Sequence, residues 1–118
     1  MAQYMLAVYH QAGVQDAGAV YDDDAAMEAA IAAVDAFNEK LETSGALLFA
    51  GGLKPPETAT TVDGSGSSSQ GPIAESEHYI GGFWFVEAAD QKAAEALAVE
   101  GSQACGQRIE VRPLAGEE

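Results

Sequence analysis

The chain has 118 residues and a formal net charge of −14, with 5 Lys and Arg against 19 Asp and Glu. That balance repels phosphate backbones and anionic membrane surfaces, so neither nucleic acid nor a membrane is an expected partner. The single Cys105 excludes an intramolecular disulfide, no Cys/His spacing matches a zinc site, and no apolar run approaches the ~20 residues of a membrane helix. The reading is one domain over residues 1–118, long enough to bury a core, in the reducing cytoplasm and with no metal or cofactor.

Residues 4–10 (YMLAVYH) set Tyr4, Leu6 and Val8 against Met5, Ala7 and Tyr9. Apolar side chains on both period-two faces mark a central strand covered on both sides. The connection QAGVQDAGAVYDDD ends in a helix start signal: Asp22, Asp23 and Asp24 can accept the free amide protons of a first turn and complement the positive end of the helix dipole. Over 25–44, Met27, Ala30, Ile31, Val34, Phe37 and Leu41 fall within an arc of roughly 120° at 3.6 residues per turn, with Glu28, Asp35, Glu39 and Glu42 outside it. This predicts an amphipathic helix that Gly45 ends. Residues 46–53 (ALLFAGGL) then predict a second strand, closed by Gly51 and Gly52 and by Lys54-Pro55-Pro56, which cannot continue a ladder inside a sheet.

The stretch ETATTVDGSGSSSQGPIAESEHY has no helical periodicity. Residues 58–62 are β-prone, Asp63-Gly64 is a turn signal, and 67–70 form the returning arm of a small hairpin; a flexible Gly/Ser linker is the competing reading. Residues 80–88 (IGGFWFVEA) predict a second central strand, with Ile80, Trp84 and Val86 on one face and Phe83 and Phe85 on the other. Asp90 caps a helix over 91–100 whose small-residue face carries Ala93, Ala94 and Leu97, and Gly101 ends it. GQRIEVRPL alternates Ile109, Val111 and Pro113 with Arg108, Glu110 and Arg112, giving one buried and one wetter face, and Pro113 places this strand near an edge.

The order β, α, β, decorated loop, β, α, β is that of a split βαβ, ferredoxin-like α+β sheet, in which the first and third strands are central and the second and fourth are edges. Both helices of such a fold cover one face. The other apolar face then needs a cover of its own, and a second copy of the sheet is the natural candidate, which predicts a homodimer.

Several separated segments also resemble a known family. GGLKPPETATTV, then QGPIAESEHYIGGFWFVEA, the closing IEVRPL and the opening YMLAVY are together similar to the YCII-related family, specifically its DGPF subgroup, over nearly the whole chain. Members carry a GxLxPPxxATTV-like segment, an Asp-Gly-Pro-Phe turn followed by an acidic Ala-Glu, a GGF or GGY strand and an EVRP ending. The resemblance implies a ferredoxin-like fold that dimerises into an α+β barrel. It also implies cofactor-free chemistry of the isomerase, lyase or hydrolase type, the wider family having been proposed to contain enzymes with a His/Asp pair in a pocket. Genes for some DGPF members lie beside those for extracytoplasmic-function sigma factors, which implies a regulatory alternative. Here Gln70 stands for the Asp of DGPF and Ile73 for its Phe, and Gln70 cannot serve as a carboxylate base at neutral pH.

Five residues are the site candidates. His10 ends the first strand, facing the cavity of a dimer, and is the candidate for proton transfer near neutral pH; a strand-end polar residue bonded to backbone is the plainer reading. His78 precedes the central strand beside Glu75 and Glu77, as an oriented acid/base imidazole or as part of a solvated loop. Tyr9 and Trp84 (with Tyr79) line an apolar pocket with polar edges for a small organic ligand, or pack in the core or dimer. Gln70 is a polar positioning group. Arg108 and Arg112 can hold a ligand carboxylate or pair with the abundant acids, and Cys105 has no base beside it that would make it a nucleophile. GSGSSSQG lacks the Lys-Ser/Thr ending of a phosphate loop, and Asp22 to Asp24 lack the ligand spacing of a calcium loop.

Overall fold

The computed structural model describes residues 2–15 and 20–116, so part of the Gly- and Asp-containing connection after the first strand, at 16–19, lies outside the described residues. In chain order the elements are β1 (Ala2–Gln11), α1 (Asp24–Ser44), β2 (Leu47–Gly52), β3 (Thr60–Val62), β4 (Ser68–Gln70), β5 (His78–Ala88), α2 (Gln91–Cys105) and β6 (Arg108–Pro113). The doubly apolar β1 and β5 pair antiparallel at the centre of a four-stranded sheet of order β2-β5-β1-β6. The alternating β6 and the Gly-terminated β2 are its edges, where an unpaired backbone side and Pro113 are tolerated. This is the ferredoxin-like α+β arrangement.

Both helices begin on an aspartate. Asp23 Oδ1 accepts from the Ala26 amide at 2.8 Å, and Asp90 Oδ1 accepts from the Ala93 amide at 2.8 Å, each cap contributing about 1 kcal/mol. Gly45 ends α1 with φ of 79°, a left-handed conformation that residues with a Cβ adopt at a cost. α2 does not end at Gly101 as its composition suggests; it runs to Cys105 and Gly106 terminates it at φ of 76°. Gly101 is instead a packing glycine. An added Cβ would lie 3.1 Å from Ile109 Cδ1 and 3.1 Å from Phe37 Cε2, so its lack of a side chain lets α2 approach β6 and α1.

The core lies between the helices and one face of the sheet, where Tyr4, Leu6 and Val8 of β1 and Trp84, Val86 and Ala88 of β5 meet Phe37, Leu41, Ala94 and Ala98. Leu6, Leu41 and Val86 are fully buried, each stabilising the fold by about 1.5–3 kcal/mol relative to exposure. Trp84 packs edge-on to Phe37, with centroids 5.1 Å apart, and donates its indole N–H to Asn38 Oδ1 at 2.6 Å. The first turns of α1 depart from the expected arc: Met27 and Ile31 are 42% and 53% exposed, because the helix buries itself through Ala30, Phe37 and Leu41.

The long connection contains the hairpin and is not a free linker. β3 and β4 pair from Thr60–Gln70 to Val62–Ser68, around a turn in which Asp63 Oδ1 accepts from the Ser65 amide and hydroxyl. Its base is tied by Gly71 N–H to the Ala59 carbonyl and by Thr61 Oγ1 to the Gly71 carbonyl.

Candidate functional site

Cross-strand partners share a face of a sheet, so register assigns each candidate side chain to one side or the other. Val8 pairs with Gly82 and Tyr9 pairs with Ile80, leaving Gly81 as the extra residue of a bulge. The bulge corrects one expectation from simple alternation: Ile80 joins Tyr9, Phe83 and Phe85 on the open face, and Trp84 and Val86 alone of the expected trio face the helices. Beyond it, His10 pairs with Tyr79 and Gln11 with His78. His10 therefore continues the helix-side row of Leu6 and Val8, while His78 continues the open-side row with Tyr9.

On the open face a cavity of about 420 Å³ is lined by Tyr9, His78, Arg108, Ile109 and Glu110. Tyr9 Oη donates to Glu110 Oε1 at 3.4 Å, and Arg112 Nη2 donates to the same oxygen at 3.0 Å. Burial first, and then the negative charge of Glu110, hold the Tyr9 phenol above its ordinary range, so the hydroxyl remains a proton donor. The cavity thus gathers an imidazole, a protonated phenol, a carboxylate and a guanidinium, with the aromatic group Phe49, Phe83 and Phe85 on the same face of the sheet.

The helix face holds a different arrangement. The imidazole of His10 rests across the bulge: a Cβ on Gly81 would meet its Cδ2 at 1.9 Å and Nε2 at 2.2 Å. One cavity, of about 430 Å³, is bordered by His10, Gln15, Tyr21, Asp22, Asp24 and Met27. A neighbouring one, of about 350 Å³, shares His10 and Tyr21 and reaches Val34, Asn38, Trp84 and Cys105. Tyr21 Oη donates to the Cys105 carbonyl at 2.7 Å, tying this wall to the end of α2. Burial pushes the Cys105 thiol up, which favours the protonated form over the nucleophilic thiolate.

The five sequence candidates therefore separate. Tyr9 and His78 share the open-face cavity, His10 and Trp84 share a helix-face cavity, and the sheet lies between the two histidines, so His10 does not face a cavity on the open side. Gln70 borders none of these cavities; its Nε2 donates to the Glu57 carbonyl at 2.7 Å at the hairpin base. The next residue, Gly71, has φ of 107°, so the glycine of the turn is required by backbone conformation whatever residue precedes it. Neither Gln15 nor Glu110 stands out in the sequence as a site residue. Glu110 carried a signal in its place within the EVRP ending, whereas Gln15 sits in a connection with no motif at all.

Compared with known protein families, residues 2–114 match the YCII-related domain. No curated protein sequence matches the chain.

Proposed function

The chain belongs to the YCII-related family, and from that premise we propose that it is a cytoplasmic homodimer, of the DGPF type within the family, that carries out cofactor-free acid/base chemistry on a small organic acid or lactone. The observation that supports this reading is the meeting of His78, Tyr9, Arg108 and Glu110 around one open-face cavity. His78 moves the proton, since an imidazole exchanges it near neutral pH. Arg108 anchors a substrate carboxylate, for which its planar guanidinium offers two parallel N–H donors. The Tyr9 hydroxyl, kept protonated, donates to negative charge that develops on a substrate oxygen, and Glu110 orients Tyr9 until the substrate takes its place. His10, on the opposite face, does not share this substrate.

The second copy covers the open face and closes the cavity. Phe49 is 61% exposed beside Phe83, with ring centroids 5.9 Å apart, and such an apolar group needs a partner surface. Screening isomerisation and hydrolysis of small lactones is the test. His78→Asn should lower kcat by about 10²-fold, and Arg108→Leu should act mainly on KM; activity unchanged in His78→Asn would end the assignment. A regulatory, non-enzymatic module is the second reading, favoured by the hairpin region, where Val62 is 68% and Ile73 89% exposed. Retention of a bound small molecule without chemical change would decide for it.

A further inference from the structure

Two buried polar side-chain atoms have no hydrogen-bond partner among the described residues, Nδ1 of His10 and Oε1 of Gln15. Both side chains border the same helix-face cavity of about 430 Å³. Buried polar atoms are paired in nearly all folded proteins, and two unpaired ones at one cavity point to a molecule that meets them there. The Gln15 amide is oriented without ambiguity: its Nε2 donates to the Leu53 carbonyl at 2.7 Å, so Oε1 is the acceptor that remains. The His10 ring is oriented by the bulge. Its Cδ2 and Nε2 edge lies over Gly81, which turns Nδ1 away from the strand.

An acceptor that remains calls for a donor, and the rest of the wall selects the charge of that donor. Asp22 and Asp24 border the cavity, and among the described residues no Lys or Arg does. Asp23 Oδ1 already accepts from the Ala26 amide, and the Tyr21 hydroxyl already donates its hydrogen bond to the Cys105 carbonyl. A carboxylate or phosphate would face Asp22 and Asp24 with no cationic side chain among the described residues of the wall to offset them. A bare metal ion is not favoured either, since among the described residues no three His, Cys, Asp or Glu side chains gather as a ligand set. We infer that this cavity binds a small organic ammonium ion, whose N–H groups donate to Gln15 Oε1 and to His10 Nδ1, whose charge faces Asp22 and Asp24, and whose apolar part lies on Met27. The site stands on its own residues and is independent of the open-face chemistry; its preference for charge is opposite to that of the cavity beside Arg108.

The full chain contains two histidines, so their side-chain NMR signals report the two faces separately. Titration with benzylammonium at pH 7.5 should move the His10 signals and leave those of His78 in place, and benzoate should not move His10. Gln15→Leu should weaken benzylammonium binding tenfold or more. Should the loss of the Leu53 bond unfold that variant, the exposed pair Asp22→Asn and Asp24→Asn should weaken binding severalfold with the fold intact. Benzoate shifting His10 as strongly as benzylammonium, benzylammonium leaving His10 unmoved, or wild-type affinity in the variants would each overturn the inference.

Discussion

At the scale of single residues, Gly81 shows how a missing side chain positions another. A Cβ at 81 would fall within 1.9 Å of the His10 ring, so Gly81→Ala has to drive the imidazole off the bulge. Overpacking of this kind costs about 1–3 kcal/mol, and urea denaturation should register a loss of that order. His10→Ala empties the space, and the double variant should recover most of the loss; equal stability of Gly81→Ala and the parent chain would contradict the ring placement. Tyr9 makes a pH prediction. Its pKa is raised in the fold, by burial and then by Glu110, so the folded state holds the phenolic proton more tightly than the unfolded chain does. The stability this brings is fully present below the unfolded value near 10.0 and is lost as pH rises through the folded value. Phenolate absorbance, taken as the difference between the parent and Tyr9→Phe, should show a midpoint above the ordinary value. Glu110→Gln should lower that midpoint without returning it to the ordinary value, because burial is the larger cause. Both histidines were legible in the sequence as polar residues beside apolar strands. Their separation was not, since it follows from a register and a bulge that no local pattern encodes.

Among the elements, legibility followed the strength of local physics. The strands with apolar side chains on both faces, the aspartate caps, Gly45 and the Asp63-Gly64 turn each have a cause within a few residues, and the order of the sheet follows from which strands are apolar on both faces. The end of α2 did not, because Gly101 has its cause in distant residues: Phe37 and Ile109 lie where its side chain would be. Gly101→Ala tests this. Alanine favours a helix over glycine by about 0.5–1 kcal/mol, so a helix with slack around position 101 would be stabilised. Phe37, however, is 5% exposed and held edge-on against Trp84, so its ring has little room to yield. The expected net effect is a loss of about 1 kcal/mol in chemical denaturation, and Gly101→Leu should lose far more. An alanine variant more stable than the parent would show that the contact between α2 and α1 is looser than the geometry indicates.

At the scale of the whole molecule, the chain has more surface than its mass explains. A compact protein of 12.2 kDa exposes about 6,100 Å² and has a radius of gyration near ~13.5 Å, whereas this one exposes 7465 Å² and has a radius of 15.6 Å. The excess, roughly 1,400 Å², is larger than the ~800 Å² each partner contributes to a standard interface. The body is also a slab, 20 Å along its shortest axis, as expected of one helix layer on one sheet with the second sheet face uncovered. Light scattering at micromolar concentration and moderate salt should give twice the chain mass. Phe49→Asp alters an exposed side chain outside the core and should yield a folded monomer, recognised by unchanged far-ultraviolet circular dichroism at half the mass. The two cavities then respond differently. Tyr9, His78 and Arg108 lie on the face the second copy would cover, so the monomeric variant should lose carboxylate binding there. The His10 cavity lies on the other side of the sheet, beside the start of α1, and its response to benzylammonium should survive; loss of both would mean that the substitution had damaged the fold, and loss of neither that the second copy does not close the open face.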